Sequence, residues 1–174
     1  AIQRKKKVWF IYTSFIRGQG KPRKVSPLFL KEYRNRWYLI SYDASQKDIR
    51  TFALDRMEDP KILEDEQITP QGFDADTYFQ NAMGITSYKG EAKKIIIQAD
   101  EIASKYIKSQ PIHHSQEILK ESKDGTYFTF KLLLSEELIR TLLSYGGEIE
   151  IIEPEQLKKA LKERISAMKK RYNL

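Results

Sequence analysis

The sequence predicts an α+β chain of two unlike halves: a small β-barrel or strongly bent sheet, then a ferredoxin-like βαββαβ unit with a C-terminal helix. Three observations carry this. Between Lys7 and Arg56 short apolar runs alternate with turn residues, and no helix signal intervenes. From residue 92 onward strand runs alternate with capped helical runs. Between the two lies a stretch whose net charge has the opposite sign to that of its flanks. Domains are therefore expected at 1–59 and 92–174, joined by an ordered acidic connector at 60–91.

VWFIYTSF is the first strand, and RGQGKPR, with two Gly and a Pro, reads as the turn after it. KVSPLFL is a second strand, WYLISYD a third after YRNR, and IRTFALDRM a fourth after ASQKD. So many short β segments in about fifty residues suit a small barrel. In FDADTYFQNAMG, Asp74 or Asp76 can cap a short helix that Gly84 ends. KKIIIQAD is then a strand, Asp100 caps the helix EIASKYIK, and Pro111 stops it. SQEILKES and TYFTFKLLL form a hairpin around Lys123-Asp124-Gly125. Ser135 caps EELIRTLLSY, Gly146-Gly147 ends that helix, and EIEIIE is the last strand. After Pro154 a terminal helix places Leu157, Ala160, Leu161, Ile165 and Met168 at helical spacing, opposite Lys158, Lys159, Lys162, Lys169 and Lys170. Its apolar stripe is a docking face, either within the chain or for a homodimer.

The 174 residues contain no Cys and two His, which removes disulfides, thiolate metal sites and a cysteine nucleophile; no metal or cofactor is expected. No run approaches the eighteen or so apolar residues of a membrane span, and AIQRKKK lacks the apolar stretch of a secretory signal, so a cytoplasmic location is expected. The first residue is Ala, and the opening reads as the last turn of a helix, as expected for a piece of a longer chain. The net charge of +7 divides unevenly: residues 1–56 carry 14 Lys/Arg against 4 Asp/Glu, residues 57–91 carry 2 against 8, and residues 92–174 carry 15 against 12. The basic head reads as a surface for a polyanion, nucleic acid before acidic lipid.

Alternation along a strand puts Trp37, Leu39 and Ser41 on one face and Tyr38, Ile40 and Tyr42 on the other. Trp37 and Leu39 are assigned to the core, leaving Tyr38 outward to stack on a base or rest on the second domain. In IRTFALDRM the residues Arg50, Phe52, Leu54 and Arg56 share parity, so with Phe52 and Leu54 inside the two Arg lie at the barrel rims. A guanidinium there either snorkels to water or forks onto a phosphate. Asp55 has the opposite parity and is read as an orienting or structural partner. Gly18-Gln19-Gly20 lacks the spacing and following helix of a dinucleotide or phosphate loop, and Lys5-Lys6-Lys7 is a solvated run. His113-His114 either contact a ligand from the second half or form hydrogen-bonded loop structure beside Ser115-Gln116.

Taken together, Phe10-x-Tyr12, Arg23-x-Val25-x-Pro27-Leu28, Trp37-Tyr38-Leu39 with Asp43, and Arg50-x-Phe52-x-Leu54-Asp55-Arg56 resemble the WYL-domain proteins. FDADTYFQNAMGI, PIHHSQ and Arg140 with LLSYGGEIEIIEP are similar to that family's C-terminal extension, the WCX domain. The resemblance implies a Sm-like five-stranded barrel followed by a ferredoxin-like domain, placed behind a winged helix-turn-helix in bacterial transcription regulators. It implies a noncatalytic sensor that binds a short single-stranded nucleic acid or nucleotide-like anion through Tyr12, Arg23, Tyr38, Arg50 and Arg56, with Arg140 and His113 contributing from the second domain. The alternative is a dimerisation or interaction module without a ligand of its own. A hydrolase or nuclease is third, since no convergent acid–base set is visible.

Overall fold

In the computed structural model, which describes residues 1–15, 18–86 and 90–173, one antiparallel sheet is built from β1 (Lys6–Thr13), β2 (Gly20–Tyr33), β3 (Arg36–Asp43), β4 (Asp48–Ala53) and β5 (Met57–Glu66). The strand order is β4-β3-β2-β1-β5. The long β2 serves two partners: its first half, Gly20 to Val25, pairs with β1, and Ser26 to Tyr33 pair with β3. A register shift between Pro27 and Phe29 bends it between the two tasks. The β2–β3 hairpin turns on Arg34 and Asn35, both at positive φ, the backbone of a tight two-residue hairpin whose twist matches its strands. Val8, Phe10, Val25, Leu39 and Phe52 form the core of this half, with Tyr12 and Met57 packed against it. Each such side chain contributes on the order of 1.5–3 kcal/mol by leaving water.

Three expectations are corrected here. Gly20 to Arg23 belong to β2 rather than to a turn. The run IRTFALDRM is not one strand: β4 stops at Ala53, Leu54–Arg56 form a 3₁₀ turn, and β5 starts at Met57. Since β4 pairs with β3 and β5 with β1, the chain must leave one edge of the sheet and enter the other, and the turn makes that crossing. The shared parity of Arg50 and Arg56 is therefore lost, and Leu54 is 37% exposed rather than interior. Trp37, assigned to the core with Leu39, is 49% exposed, because it sits near the hairpin end of β3, opposite Glu32 and beyond the buried rows.

The boundary drawn between residues 59 and 60 falls inside β5. That strand reads MEDPKILEDE and shows no apolar alternation because it is a solvated edge, defended by charges and Pro60. Beyond it, Gln67 N–H donates to Lys5 O at 2.8 Å and Ile68 N–H to Ser26 Oγ at 2.9 Å. A single helical turn, α1 (Ala75–Tyr78), is capped by Asp74, which accepts from Asp76 N–H; it ends well before Gly84. Phe73 and Phe79 pack on Phe29 of β2 with ring centroids 6.2 and 6.0 Å apart, and Tyr78 packs on Phe73.

The chain divides into two units, Ala1–Gln80 and Asn81–Leu174. The second contains β6 (Lys93–Ala99), α2 (Glu101–Ser109), β7 (Glu117–Ser122), β8 (Gly125–Leu132), α3 (Glu136–Leu143), β9 (Ile149–Glu153) and α4 (Glu155–Arg171). Its antiparallel sheet runs β7-β8-β6-β9. Asp100 accepts from Ala103 N–H at the start of α2, and Ser135 from Leu138 N–H at the start of α3, as their sequence positions require. The alternate residues Ile95, Ile97 and Ala99 of β6 and Phe128, Phe130 and Leu132 of β8 meet Ala103 and Ile107 of α2 and Leu138 and Leu142 of α3. Among the described residues no helix is long and apolar enough to cross a membrane.

The β7–β8 hairpin returns through Gly125 at φ +123°, where an added Cβ would lie 1.9 Å from Ala99 O. Backbone strain and a clash against immovable main chain combine there. Gly125→Ala is expected to lower unfolding free energy by about 2–5 kcal/mol in urea titrations. Gly147→Ala, whose Cβ meets nothing within 4 Å, is the control expected to change it by less than about 1 kcal/mol.

Candidate functional site

Paired residues in an antiparallel ladder share a face, so the interior row of the first sheet can be read from its register. Phe10 lies opposite Arg23, Val8 opposite Val25, Leu39 opposite Phe52 and Ser41 opposite Arg50. Rows that begin apolar thus continue into arginine. Phe10 and Phe52 meet edge to face at 5.2 Å and Tyr12 and Phe52 at 4.9 Å. Each ring of this trio has an arginine neighbour. Arg23 pairs with Phe10, Arg50 is the inward residue before Phe52, and the Arg56 guanidinium sits over Tyr12 at 5.3 Å and over Phe15 at 4.5 Å.

Arg23, Arg50 and Arg56 are half-buried, and the Nε of each is buried with no hydrogen-bond partner among the described residues. None is within ion-pair distance of a carboxylate there, although other cations of the same unit are: Lys24 reaches Asp65 at 2.9 Å, Lys6 reaches Glu66 at 2.6 Å, and Arg36 reaches Asp55 at 3.2 Å. The Lys24 ammonium holds the Asp65 carboxyl below its usual range. The acids of β5 thus neutralise lysines of the basic head and leave the interior arginines uncompensated. Burying part of a guanidinium without an anion costs free energy; the Tyr12 and Phe15 rings offset part of it for Arg56, and no carboxylate among the described residues offsets it for any of the three. Ser41 adds a second anomaly, a fully buried Oγ without a partner among the described residues, in the row that Arg50 faces.

Tyr12, Arg23, Arg50 and Arg56 are therefore brought together. Tyr12 supports rather than stacks: its ring faces Arg56 and Phe52, and its hydroxyl accepts from Ala53 N–H at 3.3 Å. Tyr38 pairs with Lys31 and Ala53 on the face opposite to Leu39 and is not part of this cluster. Asp55 orients Arg36, outside the trio. Ser41 was missed by sequence reasoning, although a lone hydroxyl in an apolar row was the available signal. Phe15, 75% exposed beneath Arg56, was missed because it lies beyond the end of β1. Elsewhere in the unit a groove of about 650 Å³ is lined by Ile2, Val8, Pro27, Leu30, Leu39 and Ile62.

Arg140 and His113 belong to the second unit. Arg140 is an exposed residue of α3. The His113 imidazole Nδ1 accepts from Ser115 N–H at 3.2 Å and lies 2.8 Å from Ser115 Oγ, which fixes the neutral ring with its proton on Nε2. Burial, with the adjacent His114, pushes its pKa down to about 4. No group of three or more His, Asp or Glu among the described residues is placed to hold a metal ion.

The WYL domain family matches residues 1–62 and the WCX domain family residues 92–169. This chain belongs to the WYL-domain family, with a WCX domain following its WYL domain. A relative described as the uncharacterized HTH-type transcriptional regulator YobV of Bacillus subtilis (strain 168) is 27% identical over 181 residues, covering 99% of this chain and 53% of its own length. The chain thus spans about half of that relative. Among solved structures, a CRISPR Cas-related protein shares the fold at a TM-score of 0.55 and 11% identity, over 99% of this chain and 49% of its own. Proteasome accessory factor B/C (PafBC) of Arthrobacter aurescens aligns at 22% identity with a TM-score of 0.41, over 96% of this chain and 25% of its own.

His113 makes stability depend on pH. Its folded pKa of about 4 lies below the unfolded 6.5, so the unfolded chain binds the extra proton between those values. The stabilisation is complete above about pH 6.5 and is lost as pH falls to about 4. His113→Gln is expected to remove that component, on the order of 1–2 kcal/mol after discounting for solvent screening of a half-exposed ring, in denaturation series at pH 7 and pH 4.5.

Proposed function

We propose that this chain is the ligand-sensing part of a bacterial transcription regulator, in which the interior arginine face of the WYL unit binds a short single-stranded nucleic acid or nucleotide-like anion. One observation carries the reading: three half-buried arginines in the interior rows that hold one aromatic trio, each with a buried unpartnered Nε and without a carboxylate among the described residues. Guanidinium forks suit phosphate oxygens, which would supply the compensating charge. The exposed Phe15 ring offers stacking area beside them. Membership of a regulator family supports a noncatalytic, cytoplasmic role, with operator DNA bound by a winged helix-turn-helix elsewhere in the protein and the chain acting as a homodimer. The strand orders β4-β3-β2-β1-β5 and β7-β8-β6-β9 support reading the two units as a Sm-like barrel and a ferredoxin-like domain. Arg140 and Tyr38 are further ligand candidates on their sequence pattern, and the neutral His113 offers a hydrogen-bond donor at Nε2 rather than a charge.

Fluorescence anisotropy with short DNA and RNA single strands tests this. Each neutralised phosphate on a single strand contributes about −0.7 to the slope of log affinity against log salt, so the Arg50→Ala, Arg56→Ala double variant is expected to bind more weakly with a slope flatter by about 1.4. Arg50→Lys with Arg56→Lys recovers charge but not the fork, and so only part of the affinity. Ser41→Ala is expected to leave stability unchanged or raised by up to about 1 kcal/mol, since it removes an unsatisfied hydroxyl, while weakening binding. Equal affinities and equal slopes for wild type and the folded double variant would overturn the site and leave an interaction module in its place.

A further inference from the structure

We infer that the arginine face takes a terminal phosphate monoester, held end on, in preference to the diesters in the middle of a strand. The inference rests on the reading of that face as an anion site and narrows it to one chemical class. The three cations do not follow one element, as a track for a linear polyanion would. Arg23 lies on β2, Arg50 on β4 and Arg56 in the 3₁₀ turn, three segments that meet at one group of rings. A convergent set suits a compact anion of high charge. An internal diester carries a single negative charge, whereas a monoester carries about −1.5 to −2 at pH 7 and presents three acceptor oxygens. Three arginines that pair with no carboxylate among the described residues match the monoester.

Depth points the same way. Phe10, Val25 and Phe52 are buried and fill the interior beside the arginines, so a strand has no passage through the unit. A phosphate in the middle of a strand must lie across the mouth with both arms outside, whereas a chain end can point inward. The Nε–H, the guanidinium donor nearest the backbone, is the one left buried and unpartnered on each arginine, and the buried Ser41 hydroxyl stands opposite Arg50. Donors placed that deep favour the end of a chain. The departing strand also has a next contact: Lys21 lies opposite Tyr12, hence on the same face, two residues along β2 from Arg23. It is exposed and without an ion pair among the described residues, and it is assigned the first diester beyond the terminal phosphate.

Fluorescence anisotropy of the 174-residue chain tests this with one oligothymidylate of about eight nucleotides, labelled on an internal base and made with a 5′-phosphate, with a 3′-phosphate or with hydroxyls at both ends. At least one phosphorylated form is expected to bind wild type about tenfold tighter than the hydroxyl form, the gain of added hydrogen bonds to a charged group. That comparison needs no variant. Arg50→Ala with Arg56→Ala brings the ratio close to one, whereas Lys21→Gln weakens all three forms and leaves the ratio unchanged. Phosphorylated forms that bind no better than the hydroxyl form, with binding still lost in the folded double variant, overturn the end-on monoester and leave the strand-binding face in place. A preference that survives in the folded double variant puts the phosphate elsewhere and overturns it as well. No binding by any of the three forms overturns the monoester and the strand-binding reading together.

Discussion

The Phe10–Tyr12–Phe52 contact determines the shape of the first unit. β1 and β4 are not neighbours in the sheet, yet Phe52 of β4 meets both rings of β1, and Ala53 N–H donates to the Tyr12 hydroxyl. That contact is possible only if the sheet rolls until β4 faces β1, and the bulge in β2 supplies the bend. Edge-to-face geometry adds about 0.5–1.5 kcal/mol per ring pair to the area that the rings bury. The trio is thus both the seal of the rolled sheet and the platform under Arg56, in the same interior rows as Arg23 and Arg50.

Stability and the proposed ligand recognition pull against each other on that platform. An apolar residue in place of any of the three arginines would suit the interior better, and an acid beside them would discharge the electrostatic cost. The described residues contain neither remedy, although the same unit places Asp65, Glu66 and Asp55 on Lys24, Lys6 and Arg36. Part of the acidic stretch read from the sequence, Asp65 and Glu66 of β5, therefore compensates lysines on other strands of the same sheet. What is left over is the positive charge that faces inward.

Much of this was legible from residue order. The caps at Asp100 and Ser135, the hairpin at Lys123-Asp124-Gly125 and the alternate apolar rows of β6 and β8 follow from local rules, because there local preference and tertiary packing agree. The first unit was harder. β5 escaped notice because an edge strand facing water needs no apolar period, and IRTFALDRM looked continuous because a three-residue 3₁₀ turn leaves no mark in hydropathy. Parity therefore misplaced Leu54, yet Arg56 still reaches the trio, through Tyr12 and Phe15 rather than from a rim. Trp37 failed because a shared face does not ensure burial at a strand's end. Phe15 depends on its contact with Arg56, far along the chain, which no local pattern encodes, whereas the hydroxyl of Ser41 in an apolar row was a signal left unused.

The most direct measurement of the central claim is NMR of the arginine Nε–Hε groups during titration with a short single strand. The signals of Arg23, Arg50 and Arg56 are expected to shift and to gain protection from solvent exchange, while those of the ion-paired Arg36 and Arg164 stay in place. Unmoved signals from all three interior arginines in a sample shown by anisotropy to be saturated with the strand would contradict it.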